Sequence, residues 1–214
     1  MPGSLVSGIV APLAGRLSDR VPAKWVVATG FGVLAVAIGW LAAVVRPEVP
    51  VVTVVLPMTL FGIGTGCVFS PLANLATSGL DQRTAGAGAG AFNTTRQVGG
   101  VIGSAAIVAT LTARLAVELP AAARQAAASL PEQVRGPFVE GFSGAGSLQA
   151  GAGGSFDLPA GVPDDVARQV GEAATAAFHQ GFATAVGQTL AVTAAVLVLG
   201  FVCAVAMSAR HVEH

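Results

Sequence analysis

Charged residues are scarce in this sequence: only 10% of its 214 residues are Asp, Glu, Lys or Arg, whereas 53% are hydrophobic. A soluble domain normally carries roughly a quarter charged residues. The composition therefore excludes an ordinary soluble domain and indicates a membrane protein in contact with the lipid bilayer. The formal net charge is zero and no basic stripe is present, so no nucleic-acid partner is expected.

Cysteine is almost absent as well, and Cys67 and Cys203 both lie within apolar runs. Two such thiols cannot build a disulfide framework. The three histidines have no metal-ligand spacing, and no nucleophile is paired with a base in any motif. We therefore expect no metal, no cofactor and no enzymatic activity.

Long uncharged runs are what the sequence has instead. Trp25 to Val45 contains no charge over 21 residues, and a helix of that length measures about 30 Å, the thickness of the hydrocarbon core. Met1 to Ala14 is too short to cross and is interpreted as the end of a truncated helix. We predict an all-α membrane protein with this truncated helix and four full spans. The predicted spans are residues 25–45, 51–70, 87–111 and 185–207, the last within a final segment 184–214 that ends in a tail.

The Lys and Arg residues in the short connections between spans predict how the chain is oriented in the membrane, because these residues are retained on the cytoplasmic side. The hairpin 15–24, the turn before Thr84 and the tail carry cations and fall on one side if the spans alternate. We expect these to be cytoplasmic in an inner (plasma) membrane. The long segment 112–183, with four positive and seven negative residues, is expected outside.

The long segment has a predicted organisation of its own. An Ala-rich helix continues to about Leu119 and is expected to stop at Pro120, just as Pro71 is expected to end the second span and open an interfacial segment. Residues 143–155 are linker-like in composition, and a helix is predicted to start at Asp164. Apolar residues at four-residue spacing then predict a stripe that packs on the membrane surface or on the tops of the spans. This helix is either a tether to the last span or a substrate lid. The stripe consists of Val166, Val170, Ala174, Phe178 and Phe182.

The charged hairpin carries the most specific pattern. Gly15 permits a tight helix exit, Asp19 can accept hydrogen bonds at the next helix start, and Arg20 can pair with a neighbouring acid. The run resembles the loop motif of the major facilitator superfamily, in the weaker form found in the second half of such transporters. The resemblance implies a conformational latch. The matching residues, called the latch loop below, are Gly15, Leu17, Asp19, Arg20 and Lys24.

A second region, from Pro57 to Ala106, is similar to the multidrug antiporters, most closely to their fourteen-helix branch. This resemblance implies a drug:proton antiporter of which the chain is only the C-terminal portion, with the N-terminal half missing. It also implies that the complete protein exports small hydrophobic or amphipathic substrates against proton entry, by alternating access. No acidic residue lies within the predicted spans, so the proton carrier is expected in the missing half. The alternative is a truncated, non-transporting membrane module that packs with partner helices.

Within the spans, a few small and polar residues are candidates for function. Arg96 is the only charge in a predicted span, so it either snorkels to the inner interface or contributes to a gate or substrate path. Asn93 and Gln97 share a helix face and are candidates for the same path or for interhelical hydrogen bonds. Glycines at four-residue spacing predict close helix packing. These glycine pairs are Gly62 with Gly66, Gly86 with Gly90, and Gly99 with Gly103.

Overall fold

The computed structural model describes residues 8, 10, 12, 21–77, 80–142 and 163–206, and every regular element within them is an α-helix. Four of the five helices named below are long and apolar enough to cross a membrane. The prediction of an all-α protein with four full spans is therefore confirmed. The truncated first helix falls almost wholly outside the described residues. The helices are α1 (Ala23–Val44), α2 (Val51–Thr77), α3 (Gln82–Ala127), α4 (Glu132–Gly141) and α5 (Asp164–Ala206).

Prolines mark the starts of the first two helices. The N–H of Trp25 donates to the carbonyl of Pro22 over 2.9 Å, and the N–H of Thr53 donates to the carbonyl of Pro50 over 2.9 Å. Proline fits before or within a first turn because its missing N–H would have no intrahelical partner there. The short connection 45–50 therefore ends one apolar helix and begins the next.

Two helices continue through Pro71 and Pro120, at which the sequence predicts a helix end. Helix α2 contains both Pro57 and Pro71 and runs on to Thr77, so Pro71 does not open a separate interfacial segment. Both proline rings are almost fully buried, and packing around them compensates for the lost backbone hydrogen bonds. Helix α3 likewise passes Pro120 and ends at Ala127, where Leu119 and Ala123 of the same turns are completely buried.

Helices α3 and α5 are longer than a membrane crossing requires. They contain 46 and 43 residues, which as straight helices measure about 69 and 65 Å, more than twice the hydrocarbon thickness. By contact, the chain divides into two compact units, and both long helices contribute to each of them. The first unit is Met1–Val44, Pro50–Ile107 and Leu190–His214, and the second is Val45–Val49 and Val108–Thr189.

In the first unit, α1 packs against α2 at a close crossing built from glycine. A Cβ atom added to Gly30 would lie 3.0 Å from the backbone nitrogen of Val68, and one added to Gly64 would lie 3.0 Å from the carbonyl oxygen of Gly30. Only glycine lets the two backbones approach this closely. Beside the crossing, Val27 and Ala28 of α1 pack with Ala204 of α5 in a small buried cluster.

The second unit is a three-helix arrangement with a hydrophobic core of its own. The end of α3, the whole of α4 and the start of α5 contribute to it. Val170 and Ala174 of the predicted stripe are 1% and 3% exposed in this core, whereas Phe182 is 39% exposed. The first part of the stripe therefore packs on neighbouring helices, and the choice between a tether and a substrate lid stays a prediction. The buried core residues are Leu119, Ala122, Ala123, Ala127, Leu130, Val134, Phe138, Phe142, Val170, Ala174 and Ala177.

The connection between α3 and α4 is closed by one arginine. Arg135 donates from Nε to the carbonyl of Leu130 over 2.7 Å and from a terminal nitrogen to the carbonyl of Ala128 over 3.2 Å. Carbonyls that follow a helix end lack intrahelical partners, and a cation there also complements the helix dipole. Arg135 therefore fixes the turn that lets α4 fold back onto the core.

Candidate functional site

Arg96, the charged residue within the apolar part of α3, contacts an aromatic ring of α2. Its guanidinium carbon lies 5.8 Å from the centroid of the Phe69 ring, within the range of a cation–π interaction. Arg96 is otherwise exposed. The contact offsets only part of the cost of a charge in an apolar helix. The sequence does not indicate it, because Phe69 is 27 positions away on another helix.

Asn93 and Gln97 lie on a side of α3 that has Arg96 at its edge. At 100° per residue, Arg96 is about 60° from Asn93 and about 100° from Gln97. Both polar side chains are exposed and belong to a stripe of small and polar residues with heptad spacing, the pattern that faces a partner helix in a coiled-coil crossing. This stripe, called the α3 seam, consists of Gly86, Gly90, Asn93, Gln97, Gly100 and Ser104.

The apolar part of α3 is largely uncovered. None of its most apolar 18-residue window is buried within the chain, and Val101 and Ile102 are 68% and 65% exposed. Apolar surface of this kind is favourable only against lipid or other apolar helices. The α3 seam is thus available to helices outside the described residues.

The predicted glycine pairs divide by location. Gly62 and Gly66 are buried on α2, on either side of the close crossing at Gly64. The pairs on α3, in contrast, have no heavy atom within 4 Å of an added Cβ. Packing through them stays a prediction. These α3 glycines are Gly86, Gly90, Gly99 and Gly103.

Most of the latch loop falls outside the described residues. Gly15, Leu17, Asp19 and Arg20 are among those not described. Lys24 is described, and its Nζ atom lies 5.0 Å from the centroid of the Trp25 ring. The role of the latch loop stays a prediction.

A polar pair in the second unit was missed by the sequence analysis. Gln188 of α5 donates from Nε2 to a carboxylate oxygen of Glu118 on α3 over 2.8 Å, and both side chains are half-buried. The Oε1 atom of Gln188 is buried and has no hydrogen-bond partner among the described residues. The pair ties α3 to α5 next to Gly181, where an added Cβ would lie 3.0 Å from the Glu118 carbonyl oxygen. No sequence pattern links two residues 70 positions apart.

No metal centre accompanies these features in the part of the chain that the structure describes, where no three His, Cys, Asp or Glu side chains converge.

The Arg96–Phe69 contact is testable on its own. Phe69→Leu keeps an apolar side chain but removes the ring, so it should lower the free energy of unfolding by about 0.5 to 1 kcal/mol. In a double-mutant cycle with Arg96→Gln, measured by unfolding in mixed micelles, the effects should be non-additive by a similar amount. Phe61→Leu, at an exposed ring of the same helix, is the matched control. Additive effects for Phe69 and Arg96 would show that the contact contributes nothing.

The first half of the chain matches a known protein family. Residues 1–104 match the family model described as Major Facilitator Superfamily. No solved structure matches the chain. The model match therefore includes the hairpin, α1, α2 and the start of α3.

Curated relatives extend the match. The uncharacterized MFS-type transporter Rv1250 of Mycobacterium tuberculosis is 38% identical over 151 residues, which is 66% of this chain and 26% of that protein. The cephamycin export protein CmcT of Amycolatopsis lactamdurans is 35% identical over 43% of this chain and 19% of its own length. The lincomycin resistance protein LmrB of Bacillus subtilis is 28% identical over 53% of this chain and 23% of its own length. The chain thus spans about a quarter or less of the length of these relatives.

Proposed function

Because the chain is a relative of the drug-efflux transporters of the major facilitator superfamily, we propose that it forms part of the second half of such a transporter. The complete protein would export hydrophobic or amphipathic compounds by alternating access, driven by proton entry. The observation that carries this proposal is the uncovered apolar part of α3. Apolar surface of this kind is favourable against lipid or against apolar helices, and we place helices from the remaining three quarters of a full-length relative against the α3 seam, whose small residues allow close packing.

The α3 seam is the surface on which we place contacts with the rest of the transporter. Its glycines permit close approach, and Asn93 and Gln97 can hydrogen-bond to facing helices or to a polar group of the substrate. Arg96, held at Phe69 of α2, lies beside this surface. The α3 seam therefore has small residues, past which a facing helix can slide, and a few polar groups. A transporter whose two halves rock against each other requires both.

The proton-carrying residues belong, in this proposal, to the part of the transporter that the chain does not include. No acidic residue lies within the four predicted spans, and carboxylates within the membrane are the usual proton carriers. The latch loop and the tail would face the cytoplasm, and the second unit would lie outside the inner membrane, in agreement with the placement of cations in short connections.

Efflux assays test the proposal. In a bacterial host that lacks its own multidrug pumps, the complete reading frame that contains these residues is compared with the 214-residue chain alone, using a panel of amphipathic dyes. We expect export by the complete protein that collapses when the proton gradient is dissipated, and none by the chain alone. A non-transporting module would give no export in either form while the chain still accumulates stably in the membrane.

The latch loop gives a single-residue prediction. Asp19→Asn in the complete transporter should reduce dye efflux roughly tenfold while membrane expression is unchanged. The reason is that the amide cannot form the charge-assisted hydrogen bonds of the carboxylate, which are each worth roughly 1.5 to 3 kcal/mol. Initial rates from preloaded cells measure the effect. Asp81→Asn, in the next connection on the same predicted side, is the control, and equal activity of the two variants would contradict the latch role of Asp19.

A further inference from the structure

A groove of about 750 Å³ lies in the second unit, between the connection that follows α1 and the start of α5. Both of its walls belong to this one compact unit. Pro47 and Glu48 form one wall, and one face of α5 forms the other. Its size is within the range of small-molecule sites. The α5 residues that line it are Arg168, Gly171, Glu172, Thr175, Ala176, His179 and Gln180.

The start of α5 has one buried apolar face and one exposed polar face. Val170, Ala174 and Ala177 point into the hydrophobic core and are at most 3% exposed. Arg168 and Glu172 stand on the other face, are exposed, and line the groove. The polar side chains of the groove therefore take no part in the core and are free to contact a ligand.

The groove holds charges of both signs that are not neutralised by each other. Its charged side chains are Glu48, Arg168 and Glu172. Among the described residues none of the three forms an ion pair or a side-chain hydrogen bond. Arg46 lies in the same connection as Glu48 but does not line the groove. The lining thus presents two carboxylates and one guanidinium, together with the imidazole of His179, the amide of Gln180 and the hydroxyl of Thr175, which donates to the carbonyl of Gly171 over 3.0 Å.

We propose that this groove binds a small molecule with two cationic groups and one carboxylate. The two cations pair with Glu48 and Glu172, and the carboxylate pairs with the guanidinium of Arg168. A ligand of either sign alone would leave at least one of these groups without a partner, and complementarity of both signs is what gives such sites their specificity. Free diamino acids and short lysine-containing peptides share this chemistry. The site is distinct from the proposed transport path, because none of its residues belongs to the α3 seam or the latch loop.

The affinity should be modest because the charges are exposed. Exposed ion pairs are screened by water and salt, so we expect a dissociation constant that is roughly millimolar. Removal of one of the three charges should weaken binding roughly two- to fivefold. Raising the salt concentration should weaken it further.

The experiment uses the whole chain in lipid nanodiscs and ligand-observed NMR titrations. The main probe is the dipeptide Lys-Ala, which carries two cations and one carboxylate. Two related probes each lack one charge: the C-terminal amide of Lys-Ala lacks the carboxylate, and Ala-Ala lacks one cation. Free lysine is the fourth probe. We expect Lys-Ala to bind more tightly than its amide or Ala-Ala. Comparison of Lys-Ala with free lysine distinguishes a peptide from a diamino acid as the better ligand.

Single variants assign the binding to the groove. Glu48→Gln, Glu172→Gln and Arg168→Gln should each weaken Lys-Ala binding, and Arg168→Gln should also abolish the preference for the free carboxylate over the amide. Glu140→Gln removes an exposed carboxylate of α4 that does not line the groove and should leave binding unchanged. Equal binding of Lys-Ala and Ala-Ala, or an affinity unaffected by all three groove variants, would overturn the proposal. All of the replaced side chains are exposed, so circular dichroism should show the same helix content in every variant.

Discussion

Replacement of Gly30 by leucine is expected to force α1 away from α2 and to lower the free energy of unfolding by about 3 kcal/mol, the upper part of the range for overpacking a tight core. An added Cβ at this position would lie 2.7 Å from Cγ2 of Val68, 3.0 Å from its backbone nitrogen and 3.1 Å from the carbonyl carbon of Cys67. The valine side chain can rotate away. The backbone atoms can move only if α2 moves, and larger side chains add further clashes.

The measurement is unfolding of the chain in mixed micelles, followed by circular dichroism as the fraction of denaturing detergent rises. Gly103→Leu is the matched control, because Gly103 is also within an apolar helix but has no heavy atom within 4 Å of an added Cβ. This control should not destabilise the chain and should raise the free energy of unfolding by up to about 1 kcal/mol, because leucine is a better helix former than glycine. Similar destabilisation by the two substitutions would mean that the crossing at Gly30 and Gly64 does not limit the approach of α1 and α2.

The Gly30–Gly64 crossing also shows which parts of the fold the sequence could predict. The spans follow from uncharged length alone, since a bilayer accepts an apolar helix with little regard to the order of its residues. The contact surface between two spans depends on their relative height and rotation, which uncharged length does not encode. Spacing rules therefore selected Gly62 and Gly66 on one helix, whereas the close approach depends on Gly64 and on a glycine of the neighbouring helix.

The predicted helix ends at two prolines were wrong, because the contacts that stabilise a proline within a helix are not visible in the local sequence. Pro71 and Pro120 were expected to end helices, because a proline within a helix removes one hydrogen bond and costs about 3 kcal/mol in isolation. In the structure both positions are within helices: Pro71 is itself almost fully buried, and Pro120 follows the completely buried Leu119. Burial of that kind offsets the local cost, and it depends on contacts between segments that are distant in the sequence.

In the candidate site, too, the sequence indicates some residues but not the residues that contact them. Arg96, Asn93 and Gln97 could be selected because charged and amide groups are rare within apolar runs. The residues that contact them could not be selected in this way, because Phe69, which contacts Arg96, is one of many apolar residues in α2. The groove beside Glu48 is a stronger case, because its walls are about 120 positions apart and the charges on each wall look like ordinary surface residues in the sequence.

Phe138→Ala is expected to unfold the second unit while leaving the spans intact. Phe138 is 1% exposed and packs against Phe142 with ring centroids 5.4 Å apart. Truncation of a buried phenylalanine costs about 3 to 5 kcal/mol, which approaches the whole stability that so small a core can supply. The ten-residue helix α4 is too short to persist without this packing, so the substitution should release it.

Hydrogen exchange measured by mass spectrometry separates this local opening from general destabilisation. Peptides from α4 and from the start of α5 should lose protection in Phe138→Ala, while peptides from α1 and α2 keep theirs. Val117→Ala, at a side chain that is 64% exposed in the part of α3 that belongs to the second unit, should leave all regions unchanged. If the stripe of α5 were held by the membrane surface instead of the α4 core, α5 would stay protected in Phe138→Ala. Loss of protection in α4 and α5 together would establish that the segment between the last two spans folds around its own core.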